Sequence, residues 1–152
     1  MRTLFIFIII FILSSNANCE LIKPNISIEP NKVIEIQLAA LQENNYPYKN
    51  AGIEQTWEFA HPSNRIFTGP LKRFTSMMYS PSYIIMLNHQ NHKILEVKVH
   101  EDLAFYFIEL TDIEGNQYGF RWTLEKVSIE GIYENCWMTT SVSPPISLAK
   151  ST

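Results

Sequence analysis

Cysteine and charge are both scarce in this sequence. Two cysteines, Cys19 and Cys136, occur among 152 residues, so a disulfide-rich scaffold is excluded and a packed core must supply the stability. Charged residues make up 18% of the chain, no basic run is present, and the formal net charge is −3. Nucleic acid is therefore not an expected partner. The sequence also lacks internal repeats, and its 46% hydrophobic content is typical of one globular domain.

The longest uninterrupted apolar run is Leu4–Leu13, and its ten residues are too few to span a bilayer. Arg2 precedes this run and a small, polar segment ending at Cys19 follows it, which is the pattern of a secretory signal peptide over residues 1–19. Cleavage after Ala17 and cleavage after Cys19 both fit, and a retained anchor or a lipidated cysteine are the alternatives. We predict an exported protein (secreted, periplasmic or in an organelle lumen) with no stable membrane span after cleavage.

Two further features depend on that compartment. If cleavage follows Cys19, Cys136 is a lone thiol, whereas cleavage after Ala17 leaves open a bridge between the two cysteines. Asn25 begins an acceptor sequence for N-glycosylation, Asn-Ile-Ser, which would matter only in a eukaryotic secretory pathway.

Periodic apolar residues predict helices in the first half of the chain. Residues 20–30 form a polar, extended lead-in. Apolar residues at helical spacing from Ile34 to Leu41 then predict a first helix that begins at Pro30 or Asn31. The polar positions of this helix are Glu35, Gln37 and Gln42.

A second helix is predicted after residue 50. Ile53, Trp57 and Ala60 share one face, and the helix should end at about His61, because the following proline disfavours helical geometry. We expect the side chain of Asn50 to cap its first turn.

A third helix is predicted after a break. Leu71, Phe74 and Met78 share one face, Thr68 is the expected cap, and the following Ser-Pro pair should end the helix. One more helical turn is conceivable over Tyr83–Leu87.

The period changes from 3.6 to 2 after a polar loop at residues 88–93, which predicts strands. The predicted strands are Leu95–Val99, Leu103–Thr111, Tyr118–Leu124 and Cys136–Val142. Leu95, Val97 and Val99 should form one half-buried face, and the second strand is apolar on both faces, so both should be covered. A hairpin turn is predicted at Asp112–Asn116.

The order of these elements predicts an α+β fold. The N-terminal helices should pack on a strongly curved antiparallel sheet of about four strands, within one domain over residues 31–143. Pro144 and Pro145 should end the sheet, leaving a polar C-terminal tail over residues 144–152.

Four segments carry a resemblance to a known family. They are Gln37–Arg65 (QLAALQENNYPYKNAGIEQTWEFAHPSNR), Thr68–Phe74 (TGPLKRF), Ser80–His89 (SPSYIIMLNH) and Cys136–Thr139 (CWMT). Together they resemble the family filed as domain of unknown function 4864, over about Val33 to Val142. The resemblance implies a nuclear transport factor 2-like fold, a cone made of a curved sheet backed by helices. That superfold includes isomerases, dehydratases, binding modules and dimers, so the resemblance implies no particular chemistry.

A cone of this kind would hold an apolar pocket between its helices and the inner face of its sheet. The expected wall residues are Trp57, Phe74, Phe120 and Trp122. Packing in the core is the competing interpretation for each of them, because large apolar side chains at regular spacing are usually core residues.

Three polar residues near the second helix are candidates for chemistry. His61, Arg65 and Glu58 could act as acid–base or anion-binding groups at the pocket mouth, and helix capping and surface ion pairing are the competing interpretation. Cys136 as a nucleophile would need a nearby base, and a small core residue or spare thiol is the alternative.

The histidines that follow residue 88 could belong to a metal site or to an ordinary polar loop. His89 and His92 are close in sequence, and Glu96 or His100 could add a ligand. Helical spacing cannot be assumed in a loop, and we predict neither a metal nor a cofactor.

We therefore expect a non-enzymatic module that binds a small apolar ligand or a protein. The alternative is a small isomerase- or dehydratase-like enzyme that uses a pocket histidine or carboxylate. A homodimer formed through the outer sheet face is expected only by analogy with the superfold. The identity of the ligand does not follow from the sequence.

Overall fold

A computed structural model describes residues 20–148 of the chain. The predicted signal peptide, residues 1–19, lies outside the described residues, together with Cys19 and both cleavage sites. Residues 149–152 of the predicted C-terminal tail also lie outside them.

The described chain has an α+β fold, as predicted. Its helices are α1 (Pro30–Gln42), α2 (Ala51–Glu58), α3 (Pro62–Thr68), α4 (Leu71–Met78) and a 3₁₀ turn (Ile84–Met86). Its strands are β1 (Asn91–Val99), β2 (Leu103–Thr111), β3 (Gln117–Lys126), β4 (Trp137–Val142) and β5 (Ile146–Ser147). The sheet is antiparallel and open, in the order β1-β2-β3-β4, and β5 also pairs with β3.

The first helix lies at the centre of the helical layer. Its apolar stripe is buried, and the helix contacts α2 on one side and β1 and β4 on the other. Backbones of α1 and α2 approach closely at Gly52, where a Cβ atom would lie 2.1 Å from the carbonyl oxygen of Ala40. Only glycine permits this approach, so Gly52 sets the distance between the two helices.

The first turn of α2 is capped by a side chain that precedes the helix by several residues. The prediction that Asn50 caps this turn is therefore wrong. Asn50 adopts the left-handed region with φ of 66° and makes no side-chain capping bond. The N–H of Ile53, in the first turn, instead donates to the side chain of buried Asn44 at 3.1 Å. The side chain of Asn50 accepts from the hydroxyl of Tyr79 at 2.6 Å.

The predicted break after α2 contains a helix of its own. α2 ends at Glu58, earlier than predicted, and His61 caps α3 by accepting from the N–H of Ser63. Thr68 belongs to α3 and donates to the carbonyl of Asn64, so it does not cap α4 as predicted. None of the α3 residues is fully buried, which explains why apolar periodicity could not predict this helix.

The buried face of the sheet comes from alternate residues of β2 and β3. Tyr106 lies opposite Trp122 and Ile108 lies opposite Phe120, and all four are buried. Together with the stripe on α1 they form the main core. This part of the sheet follows the predicted alternation.

Four predictions about the sheet are wrong. Val97 is 67% exposed, because a bulge between Glu96 and Lys98 changes which side chains point inward. Phe105 is 36% exposed, so the second face of β2 is not fully covered. The sheet continues past the two prolines as β5, and the predicted loop at residues 88–93 includes the start of β1.

Candidate functional site

A cavity of about 160 Å³ lies where the helical layer meets the end of β4. It is lined by Gln37, Leu41, Thr56, Ala60, Asn64, Thr68, Phe74, Met77, Met78, Tyr83, Met86, Trp122, Thr139, Thr140, Ser141 and Val142. All but Ala60 and Tyr83 of these residues come from the four helices, the 3₁₀ turn, β3 and β4. The cavity therefore exists only when both halves of the fold are assembled.

The lining is apolar with neutral polar groups. Among the described residues that form it, none is Asp, Glu, His, Lys or Arg. Three methionines and a phenylalanine provide much of the apolar wall, and methionine side chains adapt readily to the shape of a ligand. Burial raises the pKa of the Tyr83 hydroxyl, so this group also stays neutral at physiological pH.

A chain of hydrogen bonds joins the two halves of the fold at the inner end of the cavity. The indole N–H of Trp122 donates to the hydroxyl of Thr139 at 3.1 Å, and that hydroxyl donates to Oε1 of Gln37 at 2.7 Å. Nε2 of Gln37 then donates to the carbonyl of Thr56 at 3.1 Å. The three side chains are buried, so the chain fixes β3 and β4 against α1 and α2.

The edge of β4 forms one wall of the cavity. The N–H of Thr139 donates to the carbonyl of Phe59, and the N–H of His61 donates to the carbonyl of Thr139, both at 2.8 Å. These two bonds attach the end of α2 to the sheet. Further along the strand, the Tyr83 hydroxyl donates to the carbonyl of Val142 at 3.1 Å and holds the 3₁₀ turn against this edge.

Two of the four predicted wall residues line the cavity. Phe74 and Trp122 do so, whereas Trp57 and Phe120 do not. Phe120 is enclosed in the core between the sheet and the helices. Trp57 is half-buried against the ring of Phe74 at 5.1 Å and lies beneath Gly69. The lining of this cavity therefore gives no support to the prediction that Trp57 and Phe120 contact a ligand.

The three candidates for chemistry lie outside the cavity lining. His61 is 7% exposed, its Nδ1 is 2.7 Å from the Ser63 hydroxyl, and burial lowers its pKa, which Glu125 opposes in part. Glu58 pairs with Lys23 at 2.9 Å. Each of these two side chains has a structural partner.

Arg65 stabilises the end of α2. Its guanidinium donates to the carbonyls of Trp57, Glu58 and Ala60, each at 2.9 Å, and it lies over the Trp57 ring at 4.9 Å. The last carbonyls of a helix have no partner within the helix, and Arg65 supplies one. Three of its five N–H donors are therefore used within the protein.

His89 and His92 form a hydrogen-bonded pair. His89, 2% exposed, donates from Nδ1 to the carbonyl of Met86 at 2.7 Å, so its Nε2 accepts from Nδ1 of His92 at 2.7 Å. Burial lowers the pKa of His89 to about 4 and also lowers that of His92. Residues 20–148 contain no group of three or more His, Cys, Asp or Glu side chains arranged to hold a metal ion.

Cys136 and Asn25 have contrasting environments. Cys136 is buried and has no disulfide partner within residues 20–148, and burial raises the pKa of its thiol, which makes the thiol a weak nucleophile. Asn25 is exposed in a tight turn, where its Oδ1 accepts from the N–H of Ser27.

Gln37 and Thr139 are the polar residues that sequence reasoning missed. Gln37 was assigned to the polar positions of the first helix, yet it is 1% exposed. Its position between Ile36 and Leu38, both buried, was the available signal, because a polar residue inside an apolar stripe needs a buried partner. The partner is 102 positions away, which no local pattern could indicate.

No protein-family model, curated protein or solved structure matches this chain. The resemblance to domain of unknown function 4864 therefore stays a prediction. No helix within residues 20–148 is long and apolar enough to cross a membrane.

Proposed function

We propose that this protein is a binding module for a small, uncharged and largely apolar molecule, which it holds in the cavity between its helices and β4. The observation that carries the proposal is the composition of the lining. Sixteen described residues enclose the space, and none of them is Asp, Glu, His, Lys or Arg. A charged ligand would lose its hydration there without gaining a charged partner, which is strongly unfavourable.

The size of the cavity limits the size of the ligand. Its volume of about 160 Å³ is close to that of an engineered apolar cavity, roughly 150 Å³, that accepts benzene. A ligand, or the buried part of one, should therefore contain about six to nine non-hydrogen atoms. Ligands of this size bind with micromolar to millimolar dissociation constants unless they are unusually efficient.

Two alternatives receive less support from the site. Acid–base catalysis would need an ionisable group in contact with the substrate, and His61 and Glu58 both lie outside the lining and are paired elsewhere. A protein partner could insert one apolar side chain into the same cavity, which would use the same chemistry. We retain the small molecule because the lining surrounds the space from several sides.

We also propose that the fold is a nuclear transport factor 2-like cone and that the protein is exported. A nuclear transport factor 2-like cone is supported by the order of elements, with helices before an antiparallel sheet, and by a cavity between the two layers. Export is supported by the residue pattern of the first 19 positions.

A titration with matched probes tests the proposal. The ¹³C methyl resonances of Met77, Met78 and Met86 should shift with methylenecyclohexane and with cyclohexanone, and should shift much less with cyclohexanecarboxylate or cyclohexylammonium. Equal shifts with the charged probes, or no shifts with either neutral probe at millimolar concentration, would overturn it.

A cavity-filling variant provides the control. Ala60 is buried and lines the cavity, so Ala60→Leu should occupy part of the space and weaken binding of both neutral probes at least tenfold. Ala39 is exposed on α1, so Ala39→Leu introduces the same side chain away from the cavity and should leave both affinities unchanged.

A further inference from the structure

We infer that the ligand carries a hydrogen-bond acceptor, a carbonyl or hydroxyl oxygen, and that Gln37 binds this oxygen through its second side-chain N–H. This inference rests on the proposed function, because it concerns the same cavity. It adds the chemical group that distinguishes the ligand from a plain hydrocarbon.

The orientation of the Gln37 amide is fixed at both ends of the hydrogen-bond chain. An indole N–H can only donate, so Trp122 makes Thr139 an acceptor and directs the Thr139 hydroxyl hydrogen to Oε1 of Gln37. At the other end, a backbone carbonyl can only accept, so Nε2 of Gln37 must face Thr56. A flipped amide would place two acceptors together at Thr56, and the assignment therefore has one solution.

One donor remains unused in this arrangement. A carboxamide nitrogen carries two hydrogens, and Nε2 of Gln37 donates one of them, to Thr56. No second acceptor contacts it among the described residues. Gln37 is buried and lines the cavity, so the spare N–H is available where solvent access is poor. An apolar ligand would leave that donor unsatisfied, whereas an oxygen acceptor would satisfy it.

The other side-chain donors at the cavity are used or solvated. The hydroxyls of Thr56, Thr68, Tyr83 and Thr140 donate to the carbonyls of Gly52, Asn64, Val142 and Thr123, respectively. Asn64 is half-buried and Ser141 is exposed, so water can satisfy their remaining hydrogens. Among the side-chain donors of the lining, Gln37 is therefore the one that most needs a ligand as its hydrogen-bond partner.

The ligand class that fits is a small neutral ketone, aldehyde, ester or alcohol with an apolar body. A carboxylate also offers an acceptor, but the uncharged lining opposes it. The two requirements together select molecules with one exposed oxygen and about six to nine non-hydrogen atoms.

A comparison of two isosteric probes tests this inference on the unmodified protein. Cyclohexanone and methylenecyclohexane have the same shape, and only the ketone accepts a hydrogen bond. The ketone should move one side-chain ¹H resonance of Gln37 downfield and lower the carbonyl stretching frequency of the bound ketone, whereas the alkene should leave the Gln37 resonance in place. Binding of both probes without either spectral change would overturn the inference and leave the proposed function standing.

A variant provides the second arm of the test. In a Thr139→Val background, which prevents the Thr139 hydroxyl from becoming a new donor, Gln37→Met keeps the length of the side chain and removes both amide donors, so the affinity ratio of ketone to alkene should fall about tenfold relative to Thr139→Val alone. The same substitution at Gln42, which lies on α1 outside the cavity lining, should leave that ratio unchanged. An unchanged ratio in Gln37→Met would contradict the inference, and failure of both probes to bind the unmodified protein would instead contradict the proposed function. If Gln37→Met does not fold, the two spectral measurements decide.

Discussion

At the scale of single residues, the charged side chains near α2 serve the fold. Arg65 is the clearest case, because its guanidinium binds three backbone carbonyls and covers the ring of Trp57. A sequence pattern indicates that an arginine is present near a helix end, but it does not reveal which acceptors the arginine reaches. The distinction between a capping and an anion-binding arginine needs the three-dimensional contacts.

Arg65→Met should lower the free energy of unfolding by about 2 kcal/mol, since three charge-assisted hydrogen bonds to half-buried carbonyls are lost. Urea denaturation measures the change. Arg73 is exposed on α4, and Arg73→Met should change stability by less than about 0.5 kcal/mol. Equal effects of the two substitutions would show that the capping role is wrong.

The histidine pair makes stability depend on pH. The pKa of His89 is lowered to about 4 in the folded state, against 6.5 for an unperturbed side chain, so the unfolded state binds protons more tightly. The contribution is fully present above pH 6.5 and is lost as the pH falls from 6.5 towards 4. Because His92 and His61 are shifted in the same direction, all three add to this slope.

His89→Asn should flatten this pH dependence, because an Asn side chain can still donate to Met86 but does not titrate. The loss of stability between pH 6.5 and pH 4, of the order of 3 kcal/mol for His89, should largely disappear from urea midpoints measured across that range. His100 is exposed, and His100→Gln should keep the original slope. A slope in His89→Asn as steep as that of the unmodified protein would assign the effect to other groups.

At the scale of the elements, the close approach of α1 and α2 depends on one glycine. A methyl group at Gly52 would meet backbone atoms of Ala40 and Asn44, which cannot move without separating the helices. At Gly119 the obstacle is instead the ring of Phe107, which lies on the less covered face of the sheet and can turn aside.

Gly52→Ala should therefore destabilise the protein by more than about 3 kcal/mol, and Gly119→Ala by about 1 kcal/mol or less. Thermal or urea unfolding of the two variants gives the comparison. If Gly119→Ala lowered the free energy of unfolding more than Gly52→Ala, the α1–α2 contact would be less rigid than the packing of Phe107 against Gly119.

The elements that the sequence predicted are those with long, regular apolar patterns. α1 begins at Pro30, as expected, and β3 buries the predicted alternate residues Phe120 to Leu124. α3 and β5 were missed because their residues are largely exposed and their positions are fixed by contacts with other segments. Val97 was misplaced because a bulge changes the facing of a strand without changing its alternating sequence.

At the scale of the whole molecule, even the lead-in segment is attached to the helical layer. The side chain of Gln55 accepts from the N–H of Ile22 at 2.8 Å and donates to its carbonyl at 2.9 Å. Gln55 thereby makes the same pair of backbone hydrogen bonds that a neighbouring strand would make. These bonds attach residues 20–29, which contain no helix or strand.

Gln55→Leu should release this segment and leave the core intact. The amide hydrogen of Ile22 should exchange with solvent at least tenfold faster, while the amide of Ile108 in β2 should keep its protection. Unchanged exchange at Ile22 would mean that other contacts hold the segment.

The candidate site was predictable only in part at this scale. Apolar periodicity singled out Phe74 and Trp122, which line the cavity. Trp57 and Phe120 have equally apolar patterns, and only the packing of the layers decides which aromatic faces an empty space. The polar chain through Gln37 and Thr139 lay beyond any local pattern, because its members are far apart in sequence and adjacent only after folding.

The span of that polar chain also has a consequence for synthesis. Gln37 leaves the ribosome about a hundred residues before Thr139, which bonds to it. Until β4 emerges, the growing chain exposes the apolar side of α1 and an unpaired edge of β3, surfaces to which holding chaperones bind. Contacts this distant in sequence also slow folding, so native packing should form only after β4 has emerged, in milliseconds to seconds rather than microseconds.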